Sequence, residues 1–222
     1  PRPMYYSHIY VDPNNDDIVY LLATDFYRTE NQGKTFYVMP TRPTYDVGVH
    51  SDHHTLWIDS NNSKHFYLAG DAGLHETWDY GKSYNRLNNI PIGQFYGIGV
   101  DMDIPYNIYG GMQDNHSWVG PSATRHWLGI LSDDWRQIGF GDGMYQQPAP
   151  NSSILYNATQ NGNIVRVDRK TGNIQGIKPF SNDPKDKNRY DWVTPIMISK
   201  QSPNRVYLGG NRLFISNNGG VS

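Results

Sequence analysis

Thr77-Trp78-Asp79-Tyr80-Gly81-Lys82-Ser83-Tyr84 runs a hydroxyl, an acid, a glycine, a second hydroxyl and an aromatic in that order, and the order returns elsewhere in the chain. Thr29-Glu30-Asn31-Gln32-Gly33-Lys34-Thr35-Phe36 repeats it, and Ser216-Asn217-Asn218-Gly219-Gly220-Val221-Ser222 repeats all but the aromatic. As the turn of a β-hairpin, each component has a task. The Asp or Asn (Asp79, Asn31, Asn218) accepts bonds from backbone N–H groups a few residues on, and the glycine (Gly81, Gly33, Gly220) takes a positive φ that a side chain would oppose. The second hydroxyl closes the turn, and the aromatic starts the next strand with a large buried surface.

The spacing of these octets is a ruler. Gly33 and Gly81 stand 48 residues apart, as do Gly172 and Gly220. The 91 residues between Gly81 and Gly172 hold two steps, which places a degenerate copy near Trp127. A period of this length is that of a four-stranded propeller blade. A second ladder runs in step with the first: Val11–Asn15, Ile58–Asn62, Val100–Asp103, Gln147–Asn151 and Ser199–Asn204 read as turns between the first and second strands of successive blades. The second strands are then Ile18–Ala23, His65–Ala69, Ile108–Met112, Ile154–Ala158 and Arg205–Gly209.

The expected fold is all-β, with blades near residues 5–45, 46–92, 93–138, 139–185 and 186–222, the last incomplete. Raw sheet edges are a liability in water, so the blades are expected to belong to a larger ring, seven-bladed by preference, with the rest of the propeller or a partner chain covering the edges. A closed five-bladed ring is the alternative.

Composition agrees with sheets and turns: 17 Tyr and 22 Gly in 222 residues, with only 18% charged. A net charge of −2 supplies no basic field for nucleic acid or an anionic membrane. No apolar run approaches the roughly 18 residues of a membrane span, so membrane insertion is not expected. Cysteine is absent, which excludes disulfides and thiolate metal sites.

Strand order sorts the loops. First-to-second and third-to-fourth turns share one face of a propeller; second-to-third turns and blade-to-blade crossovers share the other, at the mouth of the central channel. The second-to-third turns bring Asp25, Asp71, Asp114, Asn161 and Asn211-Arg212 to that mouth. The crossovers bring His50-Ser51-Asp52-His53-His54, Tyr96, Asp142 and Asp191. Three imidazoles and a carboxylate within five residues have metal-ligand chemistry, yet the same groups serve a polar crossover by capping strands. No remote partner at fixed spacing is visible. No cofactor is therefore expected, and a structural cation stays open. Gly139-Phe140-Gly141-Asp142-Gly143 is not followed by a helix, so its glycines are read as permitting close backbone approach, not phosphate binding.

With the blades aligned, longer strings carry a resemblance. The octet resembles the Asp-box, the hairpin signature of sialidase-like and sortilin-like propellers. His50–Asp59, Gly70-Asp71-Ala72-Gly73, Leu87–Tyr96, Tyr109–Asn115, Gly141-Asp142-Gly143 and Gly209–Phe214 together resemble the large bacterial secreted proteins described as sortilin-like or BNR/Asp-box glycosyl hydrolases. That resemblance implies an extracellular or cell-surface protein longer than this chain, and it implies either binding or glycoside hydrolysis. Sialidase chemistry is not expected: Arg2-Pro3 and Arg42-Pro43 lack the Arg-Ile-Pro form, and a set of three substrate-binding arginines is missing. His116 and Ala72 stand where glycine is usual.

Two functions follow as expectations. One is a non-catalytic propeller that binds protein, peptide or glycan, or builds a surface assembly, through Tyr, Trp and Asn contacts. The other is a glycoside hydrolase drawing an acid and a base from Asp71, Asp114 and Asp142, with Trp57, Tyr96 or Trp118 as stacking platforms for sugar.

Overall fold

A computed structural model describes residues 4–5, 7–40, 48–87, 89 and 92–222. Both Arg-Pro pairs, and Asn88, Ile90 and Pro91 of the resemblance strings, lie outside the described residues. The described chain is all-β, its helical content limited to two three-residue 3-10 turns, Ser132–Asp134 and Gln160–Gly162.

The strands form five antiparallel sheets, each an up-and-down meander in chain order. Sheet 1 is β1 (His8–Asp12), β2 (Asn15–Leu22), β3 (Phe26–Thr29) and β4 (Tyr37–Val38); sheet 2 is β5 (His53–Ile58), β6 (Phe66–Gly70), β7 (Gly73–Thr77) and β8 (Asn85–Leu87). Sheet 3 is β9 (Gly97–Val100), β10 (Asn107–Gly111), β11 (Ser117–Pro121) and β12 (Arg136–Gly139); sheet 4 is β13 (Gly143–Pro148), β14 (Ile154–Thr159), β15 (Asn163–Asp168) and β16 (Ile174–Gly176). Sheet 5 has β17 (Ile196–Ile198), β18 (Val206–Gly209) and β19 (Leu213–Ser216). These are propeller blades. The chain divides into two compact units, residues 1–91 with sheets 1 and 2 and residues 92–222 with sheets 3 to 5.

Alternation along each strand makes the cores. In the first unit Tyr20, Leu22 and Phe26 of sheet 1 meet Leu56, Phe66 and Leu68 of sheet 2, all buried. In the second unit Tyr109 and Val119 meet Leu155, and Met144, Tyr156 and Ala158 lie in one cluster with Ile196, Val206 and Leu208. Full burial of each such Leu or Phe contributes roughly 1.5–3 kcal/mol. Glycine permits the close approach of sheets 3 and 4: a Cβ on Gly111 would stand 2.2 Å from the Met144 carbonyl oxygen, and one on Gly143 would stand 2.2 Å from that of His116.

The octets are the third-to-fourth turns, built by one hydrogen-bond scheme. Thr77 Oγ1 donates to Asp79 Oδ1 (2.9 Å) and accepts Gly81 N–H (3.0 Å); Asp79 Oδ1 accepts Lys82 and Ser83 N–H, both at 2.9 Å. Thr29, Asn31, Gly33 and Thr35 repeat the scheme, and so do Ser216, Asn218, Gly220 and Ser222. Asp79 Oδ2 accepts the Ser83 hydroxyl, whereas Asn31 and Asn218 donate Nδ2–H to Thr35 and Ser222. Gly33, Gly81 and Gly220 have φ of 83°, 78° and 84°.

Two local expectations are corrected. Of the aromatics closing the octets, Tyr84 packs on the first core, but Phe36 is 43% exposed. Around Trp127 there is no copy of the octet. Residues 122–135 form a loop between β11 and β12, tied by bonds such as Leu131 N–H to Asp134 Oδ2, and Trp127 stands 86% exposed on it.

Candidate functional site

Meander order puts each octet and first-to-second turn at one end of its sheet and each second-to-third turn at the other, beside the crossovers. The second group is the candidate site, taken unit by unit.

In the first unit the β2–β3 turn and the crossover into β5 are joined through backbone. Asp52 N–H donates to Thr24 O, and His53 N–H to Ala23 O, each at 3.0 Å; Asp71 N–H donates to Asp52 O at 3.1 Å. Asp25 sits in that turn, its carbonyl accepting Ala23 N–H. Asp52 holds φ 70° to make the bend. The imidazoles then diverge. His50 Nδ1 lies 2.8 Å from Ser51 O, and His54 Nε2 lies 2.7 Å from Asp71 Oδ1, with these two side chains 42% and 39% exposed. His53 turns inward and is fully buried. Burial, assisted by the nearby His75, pushes its pKa down to about 4. Among the described residues no group of three or more His, Asp or Glu could hold a metal ion.

Trp57 lies near the far end of β5, one residue before Ile58 and the turn at Asp59, and 54% exposed. It belongs to a cluster at the octet end of sheet 2. Trp57 packs on Tyr67 and His65, and His65 stacks on Trp78 with ring centroids 3.6 Å apart and planes 8° from parallel. Glu76 accepts the Tyr67 hydroxyl at 2.8 Å and lies 3.2 Å from His65 Nε2. Hydrogen bonding from Tyr67 holds the Glu76 carboxyl below its usual range.

In the second unit the loop between β10 and β11 is clasped to the crossover into β13. Asp114, at φ 57°, donates its N–H to Asp142 Oδ1 at 2.7 Å; His116 N–H donates to Gly141 O, and Gly143 N–H to Met112 O. Asp142 is buried; Asp114 is exposed. Tyr96 donates its hydroxyl to Gln113 Oε1, and Trp118 Nε1–H donates to Asn115 O. The clasp recurs further along. Asn161, at φ 60°, donates N–H to Trp192 O in the crossover into β17, where Asp191 Oδ1 accepts Trp192 N–H. Asn211 exchanges two bonds with Arg189, N–H to O and Oδ1 from N–H, while Arg212 pairs with Asp186.

Each unit thus brings its own mouth residues together, and much of their polar capacity holds turn to crossover. A further polar knot lies at the opposite end of sheets 3 and 4. Asp101 accepts Asn107 N–H and Nδ2–H, the Tyr109 hydroxyl and Arg169 Nη1–H. Burial pushes its carboxyl up, but these bonds outweigh it and hold the group well below the usual range. The signal in sequence was Asp101 in a turn followed six residues later by Asn107; its union with Arg169 is tertiary.

No protein-family model and no curated protein sequence matches the chain. Among solved structures it is similar to YCF48 bound to D1 peptide, at 14% identity over 93% of this chain and 63% of that one, with a TM-score of 0.40. It is similar to the GH74 xyloglucanase from Xanthomonas campestris at 17% identity over 98% of this chain and 38% of that one, TM-score 0.40. An auxiliary nutrient binding protein from Bacteroides thetaiotaomicron aligns at 16% identity over 72% of this chain and 36% of that one, TM-score 0.39. The chain thus spans less than two thirds of each of these proteins.

Proposed function

We propose that these blades belong to a secreted or cell-surface propeller, bacterial by the family its strings resemble, that binds protein, peptide or glycan through its second-to-third turns and crossovers without catalysing a reaction. The observation that carries this reading is the engagement of two of the three candidate carboxylates. Asp142 Oδ1 accepts a backbone N–H, and Asp71 Oδ1 faces His54, so both serve as scaffold. Hydrolysis with inversion asks instead for one protonated and one ionised carboxyl about 6.5–9.5 Å apart on either side of a sugar. Exposed apolar faces on the first and last sheets, with Ile9 and Val11 at 66% and 55% and Met197 and Leu213 at 58% and 66%, support a partner chain or further blades against them.

The test is a panel of polysaccharides and extended peptides, scored for equilibrium binding and for release of reducing ends. Binding without product, weakened by Asp71→Ala, is the expected result. Reducing ends released by the wild type and lost in Asp71→Asn would make the protein a hydrolase and overturn the reading.

A further inference from the structure

His53 and His75 lie in an apolar stretch of the interface between sheets 1 and 2, at the opposite end from the buried Asp12–Ser63 hydrogen bond. Leu56, Leu68 and His75 are cross-strand neighbours on one face of sheet 2, the face that packs on Tyr20, Leu22 and Phe26 of sheet 1. His53 joins them, its ring 5.8 Å from that of Phe26. His53 and His75 are 0% and 3% exposed. Neither ring nitrogen of His53, nor Nδ1 of His75, has a hydrogen-bond partner among the described residues. A neutral imidazole tolerates such a site at a cost; a protonated His53 presents two N–H donors and a charge with no hydrogen-bond acceptor, whereas the Gly73 backbone eases protonation of His75.

We propose that the seam between sheets 1 and 2 is an acid-sensitive latch, in which protonation of His53, with His75 beside it, parts the β2–β3 turn from the crossover into β5. The surrounding charges come from several elements. Asp52 and His50 come from the crossover, Asp25 from the β2–β3 turn and His75 from β7, with Arg86 of β8 beyond His75. Asp25 and Asp52 favour a proton on His53; His50 and His75 oppose it, and burial opposes it most. The latch controls more than stability. The three backbone bonds across and beside the seam, from Asp52, His53 and Asp71 N–H, fix the loops carrying Asp25, Asp52, His54 and Asp71. Acid therefore loosens the mouth of the first unit before the second, whose clasp at Asp114 and Asp142 has no buried imidazole pair.

Hydrogen exchange of the full chain tests this. After correction for intrinsic rates, the amides of Asp52, His53 and Asp71 are expected to exchange about tenfold faster at pH 5 than at pH 7, with Gly143 and Asn161 amides as internal controls that change far less. His53→Leu removes the titrating group and is expected to abolish the acid response at the seam. His75→Leu, which leaves His53 in place, is expected to reduce it and serves if the first variant does not fold. Unchanged protection of the three amides at pH 5, or an acid response that survives in both variants, would overturn the proposal.

Discussion

At the scale of single residues, the octet turns on two side chains. Thr77 is buried and its Oγ1 serves Gly81 N–H; Thr77→Val keeps the volume and strands that donor, at an expected cost of about 1–3 kcal/mol in urea unfolding of the first unit. An unchanged midpoint would show the bond to be dispensable. Asp79 feels burial, which raises its pKa, but the bonds from Ser83, Thr77 and Lys82 outweigh it and bring the group down to about 2. A depressed carboxyl stabilises the fold above its usual pKa and loses that contribution as pH falls toward 2. Asp79→Asn is expected to flatten the pH dependence of stability between about 4 and 2 while preserving the turn, because Asn31 and Asn218 already build it with the hydroxyl's role reversed. His53 titrates with the opposite charge logic. Its pKa is lowered to about 4 chiefly by burial, so stability is complete above 6.5 and falls between 6.5 and 4, by on the order of 3 kcal/mol in all. A pH series of denaturant melts on wild type and His53→Leu measures that difference, and parallel curves would contradict it.

Among the strands and loops, sequence revealed what local chemistry dictates. The octets were legible because their bonds close within seven residues, and the second strands because a turn ladder brackets each. β2, β6, β10, β14 and β18 lie within a few residues of the expected bounds. Illegible were features decided by distant partners. The His54–Asp71 and Arg169–Asp101 pairs join separate turns, and the pairing of β5 with β6 carries a register shift between His53 and Thr55. Trp57 was expected as a platform at the mouth, yet four residues of extended chain, roughly 13 Å, separate it from His53 at the mouth end of β5. Loop 122–135 escaped because nothing in its composition forces a hairpin. Its apolar side chains make it a test of tolerance: Trp127→Ala is expected to shift stability by no more than about 0.5 kcal/mol. Gly143→Ala, by contrast, drives a methyl group into backbone and is expected to cost 2 kcal/mol or more, roughly, in melts of the second unit.

For the whole molecule, the claim is a chain of propeller blades whose period the octets mark and whose function sits at the opposite end of each sheet. That division assigns the octets to stability; under the proposed function the clasped turns and crossovers are the recognition surface, and the exposed apolar faces of the first and last sheets are where a partner or further blades would pack. Residue-resolved hydrogen exchange at pH 7 tests the central claim most directly. Blades built on buried second strands predict five separate maxima of protection, at Val19–Leu22, Phe66–Ala69, Ile108–Gly110, Leu155–Ala158 and Val206–Leu208, with loop 122–135 exchanging fast between them. One continuous protected block, or strong protection across loop 122–135, would contradict it.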